Sequence, residues 1–91
     1  MVRSMARFIG VGYGNSINVN QVSALLNYNG ATARNTLRAA KDAKRWIDLT
    51  GGHKCRSLVI LDDGHVAALG LSSDTILRRI SDGITSDNDF Q

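Results

Sequence analysis

The sequence predicts one small α+β domain whose elements follow the order β-β-α-β-β-β-α. Three observations support this fold class. The chain has 91 residues, which is the length of one domain rather than two. Residues 31–45 are rich in Ala, Arg, Lys and Leu, which favour a helix. Two continuous apolar runs, 57–61 and 65–69, flank the turn sequence Asp63-Gly64 and predict a β-hairpin.

The first half of the chain contains two predicted strands, 7–12 and 22–26, each a short apolar run. A turn over 13–15 follows the first strand and 27–30 ends the second, because Gly and Asn tolerate a positive φ. The helix over 31–45 carries cations at helical spacing, which places them on one stripe: Arg34, Arg38, Lys41 and Arg45. This stripe is either the solvent-exposed side of the helix, without a binding role, or a surface that faces phosphate groups.

A strand over 46–50 and a loop over 51–56 follow the helix. The strand is predicted by alternation of apolar and polar residues. The loop contains two glycines and three potential cations, His53, Lys54 and Arg56. It is either a mobile solvated connection or a binding loop, since its glycines permit close approach and its cations can donate to phosphate oxygens.

The hairpin over 57–69 is the strongest local pattern. Because both of its strands are apolar throughout, we expect them to be central in the sheet and covered on both faces. We expect a type I′ turn between them, with positive φ at Asp63 and Gly64.

A short helix over 74–79 follows, capped at its N-terminus by Ser72 or Ser73. The predicted domain therefore covers 1–80. Residues 81–91 are acidic and lack an apolar period, which predicts a disordered tail.

Charge is distributed unevenly along the chain, whose net charge is +3. Residues 1–56 hold nine Lys and Arg against two Asp, a net charge of +7. Residues 57–91 hold two Arg against six Asp, a net charge of −4. A basic part of this kind suits a polyanionic partner, whether nucleic acid or an acidic lipid surface, although many small basic proteins have neither.

Several classes of protein are disfavoured. No apolar run approaches the 18 residues of a membrane span, and no apolar core follows Arg3 and Arg7 as in a secretory signal. The single cysteine, Cys55, cannot form an internal disulfide, which indicates a reducing compartment, most simply the cytoplasm.

The glycine-rich segment near the N-terminus is not a nucleotide-binding motif. Gly10, Gly12 and Gly14 alternate, but Asn15 occupies the position after them and no helical pattern follows. The glycines are better explained by a strand exit and a tight turn. No cofactor is therefore expected.

No catalytic or metal site is expected either. His53, His65 and Cys55 lack a carboxylate at ligand spacing, and no third group is in place to orient a Cys–His pair. Lys54 and Arg56 beside Cys55 predict a lowered thiol pKa, hence an oxidisable but not catalytic cysteine. An enzyme acting on a small-molecule substrate is thus disfavoured.

An ordered series of motifs resembles the RemA-like family, the bacterial extracellular-matrix gene regulators. The series comprises Phe8-Ile9-x-Val11-Gly12-Tyr13-Gly14-Asn15, Asn20 before an apolar strand, the basic helix, Ile47-Asp48-x-Thr50-x-Gly52, Arg56 before an apolar strand, Asp62-x-x-His65-Val66 and Thr75-x-x-x-Arg79-Ile80. The resemblance runs without gaps from about Arg7 to Ile80.

The resemblance implies a non-enzymatic transcriptional regulator that binds duplex DNA as a ring-shaped homo-oligomer. Its fold would be similar to LytTR-type DNA-binding modules. Family arginines correspond to Gln21 and to the pair His53 and Lys54, and a family proline corresponds to Thr32. The predicted DNA-binding residues, which add the helix arginines, are Lys54, Arg56, His53, Gln21, Arg34 and Arg38. The alternative is an oligomeric structural or protein-interaction module without DNA binding.

Overall fold

The computed structural model describes residues 7–82 and confirms an α+β domain, with two helices and two sheets. The elements are β1 (Phe8–Gly12), β2 (Asn15–Asn18), β3 (Val22–Asn27), α1 (Ala31–Asp42), β4 (Trp46–Leu49), β5 (Ser57–Leu61), β6 (Val66–Leu69) and α2 (Ser73–Asp82). A short 3-10 turn, Val19–Gln21, precedes β3. No helix within the described range is long and apolar enough to cross a membrane.

The predicted order β-β-α-β-β-β-α lacks one strand, β2. This strand pairs antiparallel with β1, so that Ile9 lies opposite Ile17 and Phe8 opposite Asn18. Three of its four residues are polar, which is why the sequence pattern did not reveal it. Pairing with β1 and burial of Ile17 in the core hold β2 in place.

The four larger strands form a mixed sheet in the order β3-β5-β6-β4. β3 and β6 run antiparallel to β5, whereas β4 runs parallel to β6. The two hairpin strands are central, as predicted. Their side chains alternate between the faces, with Val59 and Ala67 in one apolar cluster and Leu58 and Ala68 in the other.

Different elements cover the two faces of this sheet. The helix α1 covers one face with small or aliphatic buried side chains, namely Ala33, Leu37 and Ala40. The β1–β2 hairpin and α2 cover the opposite face with larger ones, namely Ile9, Val11, Ile17 and Ile76. Full burial of each large aliphatic side chain stabilises the fold by about 1.5–3 kcal/mol.

The helix α1 ends at Asp42, three residues before the predicted end. Lys44 has a φ of 59°, which takes the chain out of the helix. The carbonyl of Arg45, one residue before β4, then accepts a hydrogen bond from Val66 N–H at the start of β6. Arg45 therefore leaves the cationic stripe, and its guanidinium donates to the carbonyl of Asp63 at 3.1 Å.

The turn between β5 and β6 is not the predicted type I′ turn, because Gly64 has a positive φ and Asp63 does not. Gly64 N–H donates to the Leu61 carbonyl, and Leu61 N–H donates to the His65 carbonyl, both at 2.9 Å. These bonds close a three-residue loop with glycine at its left-handed position. Asp63 instead accepts a hydrogen bond from His65 N–H through its carboxylate.

The helix α2 is longer than predicted. Its N-terminus is capped as expected, since Ser72 Oγ accepts a hydrogen bond from Thr75 N–H at 3.3 Å. The helix extends to Asp82, two residues into the segment predicted to be a tail. The remainder of that predicted tail, 83–91, lies outside the described residues.

Candidate nucleic-acid interface

The six predicted DNA-binding residues do not all lie together. The loop 51–56, which carries His53, Lys54 and Arg56, leads into the Ser57 end of β5. Gln21 lies at the opposite end of that strand, where its carbonyl accepts a hydrogen bond from Asp62 N–H at 2.8 Å. The two ends are separated by the length of β5, about 14 Å at ~3.4 Å per residue.

The loop 51–56 begins from a fixed point at Thr50. Asp48 Oδ1 accepts hydrogen bonds from the Thr50 hydroxyl at 2.7 Å and from Thr50 N–H at 3.0 Å. These two bonds, the hydroxyl first, hold the pKa of Asp48 below its ordinary value. Thr50 Oγ1 in turn accepts a hydrogen bond from Gly52 N–H, and the Asn15 amide donates to the Leu49 carbonyl. These hydrogen bonds therefore fix the backbone conformation at the start of the loop.

Tyr13, in the turn between β1 and β2, packs against this loop. Its ring stacks on His53, with centroids 4.1 Å apart and planes inclined by 14°. A Cβ at Gly51 would lie 2.7 Å from the Tyr13 Cβ, and a Cβ at Gly70 would lie 2.7 Å from its Cε2. Sequence reasoning did not assign this role to Tyr13, and the only signal for it was the presence of glycines in two distant segments, at Gly51 and Gly70.

Backbone hydrogen bonds also fix the end of the loop, at Arg56. Arg56 N–H donates to the Leu69 carbonyl at 2.8 Å, and the Arg56 carbonyl accepts a hydrogen bond from Tyr28 N–H at 3.1 Å. The backbone at Arg56 is thus held between β6 and the end of β3. The side chains of Lys54 and Arg56 are nevertheless exposed, so Arg56 extends from a backbone fixed by the sheet and Lys54 lies two residues before it.

Cys55, between these two cations, is not an activated thiol. It is half-buried and packs against the apolar cluster beneath α1. Burial raises the pKa of the Cys55 thiol, because an apolar environment disfavours the thiolate. The prediction of a lowered pKa was therefore wrong, since desolvation outweighs the effects that lower it, which are backbone hydrogen bonds at Leu69 and Ser57 and the charge of Lys41.

The arginines of α1 adjoin the loop through Tyr28. A groove of about 220 Å³ is lined by Tyr28, Leu37 and three cations, namely Arg34, Arg38 and Lys41. Lys41 Nζ lies 4.6 Å from the ring centroid of Trp46. Because Tyr28 also donates its backbone N–H to Arg56, the groove and the end of the loop are neighbours.

We define the basic surface as the exposed side chains of Arg34, Arg38, Lys54 and Arg56. Within residues 7–82, none of these four forms an ion pair with a carboxylate. Their charges are consequently available to an external anion. His53 borders this surface through Lys54, with its ring against Tyr13.

The opposite end of β5 is acidic. Gln21 lines a pocket of about 130 Å³ together with Leu61, Asp62 and Asp63. We refer to Asp62 and Asp63 as the acidic end. The backbone N–H of His65, followed by its imidazole, lowers the pKa of Asp63, which favours the charged carboxylate. Gln21 thus lies beside two negative charges and apart from the basic surface.

The described part of the chain shows no metal centre. No group of three or more His, Cys, Asp or Glu side chains there is placed to hold a metal ion. His53 and His65, the two histidines of the sequence, lie at opposite ends of β5.

Known proteins match this chain over almost all of the described residues. A family model described as RemA-like, extracellular matrix regulatory protein A-like, matches residues 8–80. Relatives from Bacillus cytotoxicus, Bacillus mycoides and Bacillus cereus are each 31% identical to the chain over 75 residues. Each match covers 82% of this chain and 86% of the relative, and each relative's name contains the words "regulatory protein".

Proposed function

The chain belongs to the RemA-like family, and on that premise we propose that it is a non-enzymatic transcriptional regulator that binds duplex DNA as a ring-shaped homo-oligomer. The observation that carries the proposal is the basic surface: its four cations are exposed and form no ion pair with a carboxylate within residues 7–82. Two of them, Arg34 and Arg38, line the groove of Tyr28, whose backbone bonds to Arg56. The carboxylates of the acidic end lie away from it, about one strand length distant. The exposed Asp48 carboxylate, which accepts two hydrogen bonds from Thr50, does lie at the base of the loop. Four cations against this one carboxylate still suit a polyanion.

Phosphate contacts would provide most of the binding energy. Lys54 donates to a phosphate as a point charge, whereas Arg34, Arg38 and Arg56 offer a planar fork that can engage two oxygens. Such contacts position the protein on DNA without reading bases, and the shape and deformability of the duplex would supply the sequence preference.

The proposed partner is a duplex and not a single strand, because two of the three aromatic rings next to the cations already make contacts within the chain. Single-strand binders stack bases on free aromatic faces. Here the Tyr13 ring is stacked on His53 and packed against two glycines, and Lys41 lies over the Trp46 ring. Two of the three aromatic rings next to the cations thus make contacts within the chain, and the third, Tyr28, lines the groove with Arg34 and Arg38.

Assembly into a ring would multiply these few contacts. One protomer offers four cations, and the free energies of contacts made by linked copies add without a further loss of translational freedom. Large apolar side chains remain exposed in the described part of the chain, among them Phe8, Trp46 and Leu77, and association would bury some of this area. A likeness to LytTR-type DNA-binding modules forms part of the same proposal.

The proposal is tested with the double variant Lys54→Ala/Arg56→Ala. We expect its affinity for every duplex sequence to fall, and the slope of log K against log salt to flatten by about 0.9 for each phosphate that is no longer neutralised, multiplied by the number of engaged subunits. The measurement is fluorescence anisotropy of labelled duplex at several salt concentrations. The single variants Arg56→Ala and Arg78→Ala are compared as a matched pair. Arg78 is also an exposed arginine, but it lies on α2, which packs on the face of the sheet opposite α1.

Sedimentation of the same variants separates DNA binding from assembly. We expect the wild type to form a species several times the mass of one chain, and the double variant to keep that size. Unchanged affinity and salt slope would contradict the DNA-binding role of the loop. Dissociation of the oligomer would instead make the loop an assembly contact and favour a structural module without DNA binding.

A further inference from the structure

We infer that Tyr13 is a positioning residue for DNA binding: its ring holds the loop 51–56 in the conformation from which Lys54 and Arg56 reach phosphates. The consequence for DNA rests on the proposed function. The restraint of the loop by the ring is a separate property of the fold, which can be measured without DNA.

The backbone of Tyr13 is the first observation. Its φ is 59°, a left-handed conformation that is unfavourable for a bulky residue other than glycine. Glycine or asparagine would adopt this conformation at lower cost. An aromatic residue at this position therefore indicates that contacts of the ring compensate for the backbone.

The contacts of the ring are the second observation. The ring meets Gly51 at the start of the loop, His53 at its centre and Gly70 directly after β6. At either glycine a Cβ would come within 2.7 Å of the Tyr13 side chain. The ring thus lies directly on the backbone of two segments that are distant in sequence, although 46% of Tyr13 remains exposed.

The hydrogen bonding of the loop is the third observation. Within 51–54, the two backbone N–H groups with a described partner, those of Gly52 and His53, both donate to Thr50. These are local turn bonds, which by themselves leave a loop mobile. Long-range backbone bonds begin again at Arg56. The Tyr13 ring is therefore the contact that ties the centre of the loop to the rest of the fold.

Loss of this ring should weaken DNA binding without removing a charge. Without the ring, the loop must be ordered when DNA binds, which costs conformational entropy. Lys54 and Arg56 would still reach the same phosphates once bound. Affinity should therefore fall, by about tenfold for one loop that must be ordered, while the salt slope stays unchanged. The Lys54→Ala/Arg56→Ala variant, by contrast, should reduce both the DNA affinity and the steepness of its salt dependence.

The experiment compares Tyr13→Asn with Tyr13→Phe. Asparagine removes the ring but tolerates a left-handed backbone, and phenylalanine keeps the ring. In nuclear magnetic resonance spectra, Tyr13→Asn should abolish the ring-current shift of the His53 imidazole protons and speed amide exchange at Gly52 and His53. Tyr13→Phe should preserve both. Anisotropy should then show lower affinity with an unaltered salt slope for Tyr13→Asn alone.

A cycle of variants shows whether Tyr13 acts through the loop. In the Lys54→Ala/Arg56→Ala background, Tyr13→Asn should have little further effect on affinity, because the loop no longer contributes. A full additional decrease there, an unchanged His53 shift, or a Tyr13→Asn chain that does not fold while Tyr13→Phe does would each overturn the inference. If Lys54→Ala/Arg56→Ala binds DNA as the wild type does, the proposed function of the loop fails, and the spectra still decide whether Tyr13 restrains it.

Discussion

The two ends of β5 are built by different means. The turn at the acidic end closes through its own hydrogen bonds, such as Gly64 N–H to the Leu61 carbonyl and His65 N–H to the Asp63 carboxylate. Hydrogen bonds with distant residues, Asp62 N–H to the Gln21 carbonyl and the Arg45 guanidinium to the Asp63 carbonyl, tie this turn to the rest of the fold. The other end, which carries the loop 51–56, combines local bonds at Thr50 with the packing of the distant Tyr13 ring against Gly51 and His53. The turn at the acidic end therefore keeps its own bonds when a distant partner is removed, whereas the centre of the loop 51–56 depends on the packing of Tyr13. The end proposed to bind DNA is therefore also the end most sensitive to substitutions elsewhere.

The largest expected difference between the ends concerns two glycines. Gly51 and Gly64 both have a positive φ, so replacement by alanine strains both backbones by about 1–2 kcal/mol. At Gly51 the new methyl group would also meet the base of Tyr13 at 2.7 Å, whereas at Gly64 it would meet the flexible end of Arg45 at 3.0 Å. Gly51→Ala should lower the free energy of unfolding by about 1–3 kcal/mol more than Gly64→Ala.

Urea denaturation at matched protein concentration measures both glycine variants. Repeating the pair in a Tyr13→Gly background should abolish most of the difference, because the obstructing side chain is gone. Equal costs for Gly51→Ala and Gly64→Ala in the wild-type background would show that the two ends of β5 are held by similar means.

A smaller effect is expected from neutralising the acidic end. Asp62→Asn/Asp63→Asn removes two negative charges about 14 Å from the start of β5, beyond the Debye length of about 10 Å at 0.1 M salt. DNA affinity at that salt should therefore rise by less than about threefold. Fluorescence anisotropy with labelled duplex provides the measurement. A gain as large as the decrease caused by Lys54→Ala/Arg56→Ala would place DNA close to both ends.

The smallest effect is expected from acid. Hydrogen bonds from Thr50 hold the pKa of Asp48 below its ordinary value of 3.8, so this carboxylate stabilises the fold above that value. The contribution is lost as the pH falls through the lowered, folded-state pKa. Asp48→Asn should thus reduce stability near neutral pH and flatten its decline in acid. The change should be slight, because Asp48 is exposed and solvent screens its charge.

Denaturation midpoints of the wild type and Asp48→Asn, measured near neutral pH and at about pH 3, check this prediction. Asp63→Asn is the matched variant at the acidic end, where hydrogen bonds from His65 N–H and the imidazole likewise lower a carboxylate pKa. An acid-induced decline that is as steep in Asp48→Asn as in the wild type would show that the Thr50 bonds add little to the stability of the loop.

Local sequence was sufficient for the elements that carry their own pattern. The α+β class, the helix α1, the central hairpin of β5 and β6, the cap at Ser72 and the family resemblance all followed from spacing and residue type. These features depend on neighbours in the chain: helix formers four residues apart, apolar runs beside a turn, and a hydroxyl three residues before an amide. The uneven charge that favours a polyanionic partner was equally visible in the sequence.

Only the tertiary structure decided the features that depend on distant residues. Polar β2 is a strand because it pairs with β1 and buries Ile17. Burial reversed the expected shift of the Cys55 pKa, which the neighbouring charges had predicted incorrectly. In the folded chain, Gln21 lies apart from the basic surface, and the Tyr13 side chain packs against Gly51. In each case the deciding quantity is burial, distance or steric contact between segments far apart in the chain, and none of these is a property of a residue's neighbours in sequence.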